Sequence, residues 1–306
     1  MRTPRSELTT RTTLAAVFMV LFAGTGCADH VNDSTPSKTP AEAVHSDSKI
    51  FDKLPPRLQQ SKTLTVGTEA LYPPYEYLES DGTTIVGIDI DLLTAITQRI
   101  GVSFTQTNTA FDGLLPSLAA GRFDVVSAAV SDTPARRANY DFVDYFRAGQ
   151  GILVKKGNPD KISTVKDMCG KAVSVLTSSA QESLLNEFNT AECSSNPIAI
   201  AALPTDQDAL LQVQSGRAAA AFTQSPVAAY NAKTVGGGGQ FELANSEQIA
   251  PNLLGFVFDK KNVQLRDAFQ AAIQSLIDDG TYKKILDSHD VGDGAVVVST
   301  VNGGAS

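Results

Sequence analysis

The residues best suited to chemistry lie in one stretch, 121–146, GRFDVVSAAVSDTPARRANYDFVDYF. Its apolar run of Phe123, Val125, Val126, Ala128 and Val130 suits a buried strand. The run stops at Ser131-Asp132-Thr133-Pro134, where Thr133 is a good N-cap and Pro134 a good first helical residue. A strand that ends at a helix N-terminus presents free backbone N–H groups and a positive dipole end. Arg136, in the first turn, adds a planar fork of donors matched to a carboxylate. Together they read as a pocket for a small carboxylate. An Arg near a helix start is also commonly solvated or paired with a neighbouring Asp, so this pattern alone leaves both readings open.

Other elements must position that stretch. Residues 64–67 read as a first strand running into TEALYPPYE at 68–76, where two prolines predict a rigid loop. Loops beyond the carboxyl ends of parallel strands are where α/β folds hold ligands. Asp91 is suited to cap a helix with Leu92, Leu93, Ile96 and Ile100 on one face, closed by Gly101. A strand begins at Phe104, a helix is entered at 111–116, and 149–155 forms a strand that crosses into a second lobe. Val173-Ser174-Val175-Leu176 is a buried strand. TSSAQE follows at 177–182, then a helix with Leu184, Leu185 and Phe188 on one face and Ser178 or Ser179 as its N-cap. This repeats the strand-to-helix anion geometry, although a simple capped helix reads the same way. A helix at 206–216, a strand at 218–222, a returning strand at 253–258 and amphipathic helices at 263–277 and 281–286 complete the pattern. The glycine run 236–239 belongs to a hairpin and lacks the Lys-Ser/Thr ending of a phosphate loop.

Gly-Arg-x-Asp, an apolar strand, Ser-x-Thr-Pro-x-Arg and a later Asp-Phe resemble the substrate-binding proteins of polar-amino-acid ABC importers. The run Val86 to Leu93, VGIDIDLL, is strongly similar to that family too, and the resemblance extends over roughly residues 60–290. It implies that Arg136 holds a ligand α-carboxylate, helped by Ser131 and the backbone of Ala129. It makes Tyr72 an aromatic cover for the ligand, Glu69 an acid that meets an amine or amide, and Tyr75 a core aromatic. Phe111 matches a second stacking position, with core packing as the other reading. Leu176, Ser179 and Ala180 become second-lobe contacts, the last through its N–H. The acids of 86–93 are read as structural. Departures are the ending Val143-Asp144-Tyr145-Phe146, Ser178-Ser179 where the family has Gly-Thr, and the missing Asp after Gly216-Arg217. The main one is Gln224, where the family has an Asp for the α-ammonium.

The chain has 306 residues, 42% of them hydrophobic, enough for two domains with sizeable cores. A net charge of −8 with no basic patch argues against nucleic acid as a partner. Arg2, Arg5 and Arg11 precede an apolar stretch, 14–23, too short to span a bilayer comfortably. Gly24-Thr25-Gly26-Cys27 follows and resembles a bacterial lipoprotein signal, with Gly24 where Leu is usual; a plain signal peptide with an incidental Cys is the alternative. Residues rich in Asp, Ser, Thr, Pro and Lys then suit a flexible tether. Cys169 and Cys193 remain; export favours a disulfide between them, and a metal site is weaker because no His lies near. The histidines, His30, His45 and His289, show no ligand spacing.

The expectation is an α/β, two-lobed periplasmic-binding-protein-like fold with two crossing strands as hinge. Residues 1–26 are a lipoprotein signal peptide, 27–49 a tether, 50–150 and 250–290 lobe one, 151–249 lobe two, and 291–306 a C-terminal tail. The resemblance implies an extracytoplasmic, lipid-anchored monomer without cofactor, metal or catalysis. It would bind a polar amino acid or related nitrogen-containing carboxylate and dock on an ABC permease. The rivals are an exported enzyme resembling cyclohexadienyl dehydratase and a sensor lipoprotein coupled to a membrane receptor. Gln224 supplies no charge, so either Glu69 takes the cationic group or the ligand's amine is absent, substituted or displaced.

Overall fold

The apolar runs expected as strands pair into one nine-stranded sheet in a computed structural model that describes residues 44–305. The elements begin with α1 (Ser48–Phe51), α2 (Pro56–Ser61), β1 (Thr63–Thr68), β2 (Leu71–Tyr72), β3 (Glu76–Leu78) and β4 (Ile85–Val86). Next come α3 (Ile88–Ile100), β5 (Ser103–Asn108), α4 (Phe111–Ala119), β6 (Val125–Val126), α5 (Pro134–Arg137) and β7 (Tyr140–Lys155). Then follow β8 (Ala172–Leu176), α6 (Ala180–Ala191), β9 (Ala199–Leu203), α7 (Asp206–Ser215), β10 (Ala220–Gln224), α8 (Ser225–Thr234) and β11 (Phe241–Leu243). The last are β12 (Ile249–Asp259), α9 (Val263–Asp278) and α10 (Thr281–Ser288).

The main sheet runs β5-β1-β6-β12-β7-β10-β8-β9, with β11 also on β7. β1 is parallel to β5 and β6, and β8 is parallel to β9 and β10. Between these two parallel halves lies the long antiparallel pair β7 and β12. These are the two crossing strands, and α/β helices pack on both halves. The first half buries Leu64, Val66, Ile96, Phe256, Phe269 and Ile273; the second buries Ile152, Val173, Val175, Leu185 and Phe222. Cys169 and Cys193 are joined in the second half, and Cys193 belongs to its core.

Several local expectations are corrected. The loop 68–76 is not wholly irregular: β2 and β3 form a small antiparallel hairpin around Pro73-Pro74, and β4 extends it. Gly87, not Asp91, caps α3; its φ is 129°, and a Cβ there would collide with the Tyr75 carbonyl. The glycine run forms a 3₁₀ turn, Val235–Gly238, between α8 and β11. The tether ends earlier than expected, because the Asp47 side chain caps α1 and Val44 packs on the core. The signal segment and Cys27 lie outside the described residues.

Residues 291–305, expected as a tail, pack onto the first half. Val301 bridges Val143 and Ala295 bridges Phe146 as additional β-contacts. The N–H groups of Gly303 and Gly304 donate to the Asp144 and Asp132 carboxylates at 2.8 and 2.7 Å. Arg137 donates to the Gly304 carbonyl at 2.6 Å and lies 3.6 Å from the Asp132 carboxylate. Among the described residues, no helix is long and apolar enough to cross a membrane, and no group of His, Cys, Asp or Glu is arranged to hold a metal.

Candidate functional site

The carboxyl ends of the two parallel halves face one another, and their loops carry the expected site. Ser131 ends the segment after β6 and makes a β-bridge to Leu254 of β12. Thr133 caps α5, but α5 has only four residues, so little helix dipole is available there. The anion-binding capacity rests on Arg136 instead. Its Nη1 donates to the Ser131 carbonyl at 3.0 Å, and its Nη2 reaches the opposite half to donate to the Ser178 carbonyl at 3.1 Å. Its guanidinium stands 5.7 Å over the Phe111 ring. Arg136 makes no ion pair with an acid among the described residues, and burial lowers its pKa to about 10.

In the second half, Ser179 caps α6 by accepting from the Glu182 N–H, as expected. Ser178 takes φ 59°, the left-handed conformation for which glycine is the usual residue. Its N–H donates to the Glu182 carboxylate at 2.6 Å, which holds that conformation. Ala129 repeats the arrangement in the first half: φ is 44°, and its N–H donates to Asp89 at 3.0 Å. Asp89 is fully buried and also accepts from the Tyr145 hydroxyl at 2.5 Å. In both cases the anchored N–H turns the residue's carbonyl toward the cleft. Backbone in a sparsely populated region costs about 1–3 kcal/mol and clusters at functional sites.

Gln224 ends β10. Its Nε2 donates to the Ala129 carbonyl at 2.9 Å, its N–H donates to the Tyr72 hydroxyl at 3.2 Å, and its Oε1 has no partner. The Tyr72 hydroxyl also bonds Thr223 at 3.0 Å. Tyr72, Phe111, Ala129, Ser131, Arg136, Leu176, Ser179, Ala180 and Gln224 therefore line one cavity, together with Ala128 and Gln181. Its volume is about 10 Å³ for a water-sized sphere, room for roughly one water. Glu69 does not line it. It is buried outside the cavity lining, with Oε1 unpartnered, and burial followed by the neighbouring Asp206 raises its pKa to about 8. A larger groove of about 590 Å³, lined in part by Tyr77, Tyr230, Lys233, Glu247 and Asp290, holds none of the expected residues.

Residues 64–290 match the sequence pattern of the bacterial extracellular solute-binding proteins, family 3. The chain belongs to this family. As a member it is a solute-binding protein, and its fold is the one expected. The arginine-binding protein ArgT of Corynebacterium glutamicum is 30% identical over 257 residues, which are 83% of this chain and 83% of that protein. A solved ancestral arginine-binding protein bound to arginine is 32% identical with a TM-score of 0.68, covering 74% of this chain and 97% of its own. A solved ancestral amino acid-binding protein, described as a precursor of cyclohexadienyl dehydratase, is 32% identical with a TM-score of 0.67, covering 78% and 97%. All three are binding proteins by name, and the third is also described as the precursor of an enzyme.

The sequence reasoning missed three contributors. Asp89 was read only as structural, yet it orients the Ala129 carbonyl. Ser178 was read as a cap candidate, yet its carbonyl meets Arg136. Asp206 was read as the start of a helix, yet it is buried against Tyr72, Thr223 and Glu69. Its signal was an acid at the carboxyl end of a parallel strand, β9, where α/β folds hold ligands.

Proposed function

We propose that this solute-binding protein captures a polar amino acid, or a closely related nitrogen-containing carboxylate, and delivers it to an ABC permease. The observation that carries the reading is Arg136, a half-buried guanidinium without an acid partner among the described residues, lining a cavity shared by both halves. A ligand α-carboxylate supplies the missing charge and accepts the bonds that Arg136 now gives to the Ser131 and Ser178 carbonyls. Ser131 sits beside it as a hydroxyl donor, Ser179 lines the same cavity with its hydroxyl spent on the Leu176 carbonyl, and Tyr72 and Phe111 offer ring faces to the rest of the ligand. The Ala129 carbonyl and the Gln224 Oε1 accept from the α-ammonium. A cavity of about 10 Å³ cannot hold an amino acid, so entry requires the halves to part at β7 and β12 and close again over the ligand.

In this reading the protein performs no chemistry, acts as a monomer outside the cytoplasm and is held to the membrane by lipid on Cys27. The test is a thermal-shift screen of amino acids, amines and small carboxylates, followed by calorimetric titration of the hits. A ligand at 100 times its Kd adds about 2.7 kcal/mol and raises Tm visibly. No shift with any amino acid would reject the reading. A dehydratase-like enzyme is the second reading, favoured by the third relative and by Glu69, a buried carboxyl with a raised pKa. Turnover of prephenate or arogenate by the purified protein decides for it.

A further inference from the structure

The larger groove, about 590 Å³, is as roomy as sites that hold drug-sized molecules, and the proposed function leaves it without a role. One wall is α8 of the second half. Ser225, Ala229, Tyr230 and Lys233 line it, a spacing that follows one face of the helix from its first turn to its last. α8 has 10 residues, so this wall is roughly 15 Å long. The opposite wall belongs to the first half: Pro74, Tyr77 and the segment from the end of α10 to Gly294. Tyr77 and Tyr230 come together from the two walls, with ring centroids 6.0 Å apart, and Phe146 of β7 adds a third aromatic ring to the lining.

The two ends of α8 give the groove a polarity. At the first turn no side chain caps the helix, Ser225 is only 8% exposed, and its hydroxyl has no partner. A positive dipole end beside an unpartnered donor suits a carboxylate. Arg147 also lines the groove, and its guanidinium makes no hydrogen bond or ion pair with a described residue. At the last turn the dipole is negative. Lys233 there lies 3.9 Å from the Asp290 carboxylate of the opposite wall, a solvated pair that leaves Asp290 open to a second cation. Asp293 and Glu247 bring to the lining two further carboxylates without partners among the described residues, while His289 is taken up by Asp91 at 2.7 Å. Asp290 and its neighbour Asp293 therefore suit an ammonium. A free amino acid carries both charges on one carbon and cannot reach both ends. An extended peptide advances about 3.3–3.6 Å per residue, so about four residues span the wall and bring side chains to the aromatic rings. We propose that the groove is a second ligand site that takes a short zwitterionic peptide, its carboxylate at Ser225 and the first turn of α8 and its ammonium at Asp290 and Asp293. This goes beyond the amino-acid-binding reading and does not depend on it.

The probe is the tetrapeptide Ala-Ala-Tyr-Ala, with its C-terminal amide and its N-acetyl form as the two controls that each lack one charge. Calorimetric titration of the purified protein should show the free peptide binding, and each control binding roughly tenfold more weakly. Ser225→Ala should weaken the free peptide roughly 3- to 10-fold and change the amide by less than about threefold. Asp290→Asn should weaken the free peptide by a similar factor and leave the N-acetyl form nearly unchanged; Asp290 is exposed, so this variant serves should Ser225→Ala fold poorly. Arg136→Ala should keep the peptide affinity, which separates the groove from the cavity between the halves. If the unmodified protein binds no peptide, or binds all three forms equally, the second site is wrong whatever the amino acids do. Loss of the peptide in Arg136→Ala would place it in the central cavity and overturn the site as well. If the peptide binds as expected and no amino acid does, the second site stands and the proposed function falls.

Discussion

Gln224 of β10 donates to the carbonyl of Ala129, from the other half of the molecule, at 2.9 Å. Two strained backbone positions frame this bond. Ala129 offers its carbonyl only because Asp89 holds its N–H in a left-handed turn, and Ser178 offers its own to Arg136 by the same device through Glu182. The halves are therefore bridged by side-chain donors on turned carbonyls. In the proposed function those carbonyls and Arg136 are also the groups that meet the amino acid, so ligand and bridges would compete for the same atoms.

Gln224→Asp should invert that competition. A carboxylate facing the Ala129 carbonyl loses the bridge and gains charge for an α-ammonium. Charge-assisted bonds are about twice as strong as neutral ones, so amino acids should bind roughly tenfold more tightly. Calorimetric titration measures it. Unchanged affinity across an amino-acid panel would show that Gln224 does not meet the ligand.

Arg136→Ala should abolish binding without unfolding the protein. The guanidinium makes bonds only to carbonyls of Ser131 and Ser178 and a face contact with Phe111, so the fold does not depend on it. Leaving a buried ligand carboxylate without its partner costs about 3–5 kcal/mol, several hundredfold or more in affinity. Near-native affinity with an unchanged circular dichroism spectrum would remove Arg136 from the site.

The site was legible in proportion to how local its parts are. Arg136, Ser131 and the Thr133 cap lie within a few residues, so their order suggested a carboxylate pocket while leaving a solvated or Asp-paired Arg as the other reading. The crossing strands were legible as apolar runs, although β7 extends through all of Tyr140–Lys155 rather than beginning at Gly149. The pairing of Glu69 with Asp206 was not legible, because nothing in either local sequence specifies which distant loop it meets. Glu69 was expected on the cavity wall and instead is buried outside its lining, since an acid's rotamer and depth depend on tertiary packing. The left-handed turns at Ala129 and Ser178 carry no glycine signal and depend on Asp89 and Glu182. Residues 291–305 looked like a tail because their hydrogen-bond partners, Asp132 and Asp144, lie far upstream.

Breaking the Cys169–Cys193 bond should destabilise the second half first. The bond closes a loop of 24 residues, which the chain-entropy model values at roughly 3 kcal/mol. Cys193 is buried in that half's core, so Cys193→Ser should cost more than Cys169→Ser. Both should lower Tm by several degrees without preventing ligand-induced stabilisation. Identical melting of reduced and oxidised protein would contradict this.

Truncation after Val301 should weaken the ligand as well as the fold. It removes the Gly303 and Gly304 donors from Asp144 and Asp132, and the carbonyls that hold Arg137. Asp132 and Arg137 are the immediate neighbours of Ser131 and Arg136, so the loop that positions both loses its fixed geometry. We expect affinity to fall roughly tenfold. A truncated protein with lower Tm and unaltered affinity would confine the segment to a structural role.

Stability should fall as pH rises from about 4 to 8. Burial raises the pKa of Asp144 to about 7 and that of Glu69 to about 8, while Asp89 and Asp206 are raised to about 6. A carboxyl whose folded pKa lies above its unfolded value binds more protons in the folded state. Its stabilising contribution is therefore complete below the unfolded pKa, near 4, and is lost as pH rises through the folded pKa. The raised groups all act in this direction, and the net charge of −8 adds self-repulsion on the alkaline side. Thermal melts should give a higher Tm at pH 5 than at pH 8. Asp144→Asn keeps an acceptor for the Gly303 N–H and for Thr300 but does not ionise, so it should flatten the slope between pH 5 and 7. Asp206→Asn should flatten it mainly near pH 6. A Tm that rises steadily from pH 5 to pH 8 would mean that these carboxyls are ionised throughout, and that the folded protein compensates them by contacts other than those described.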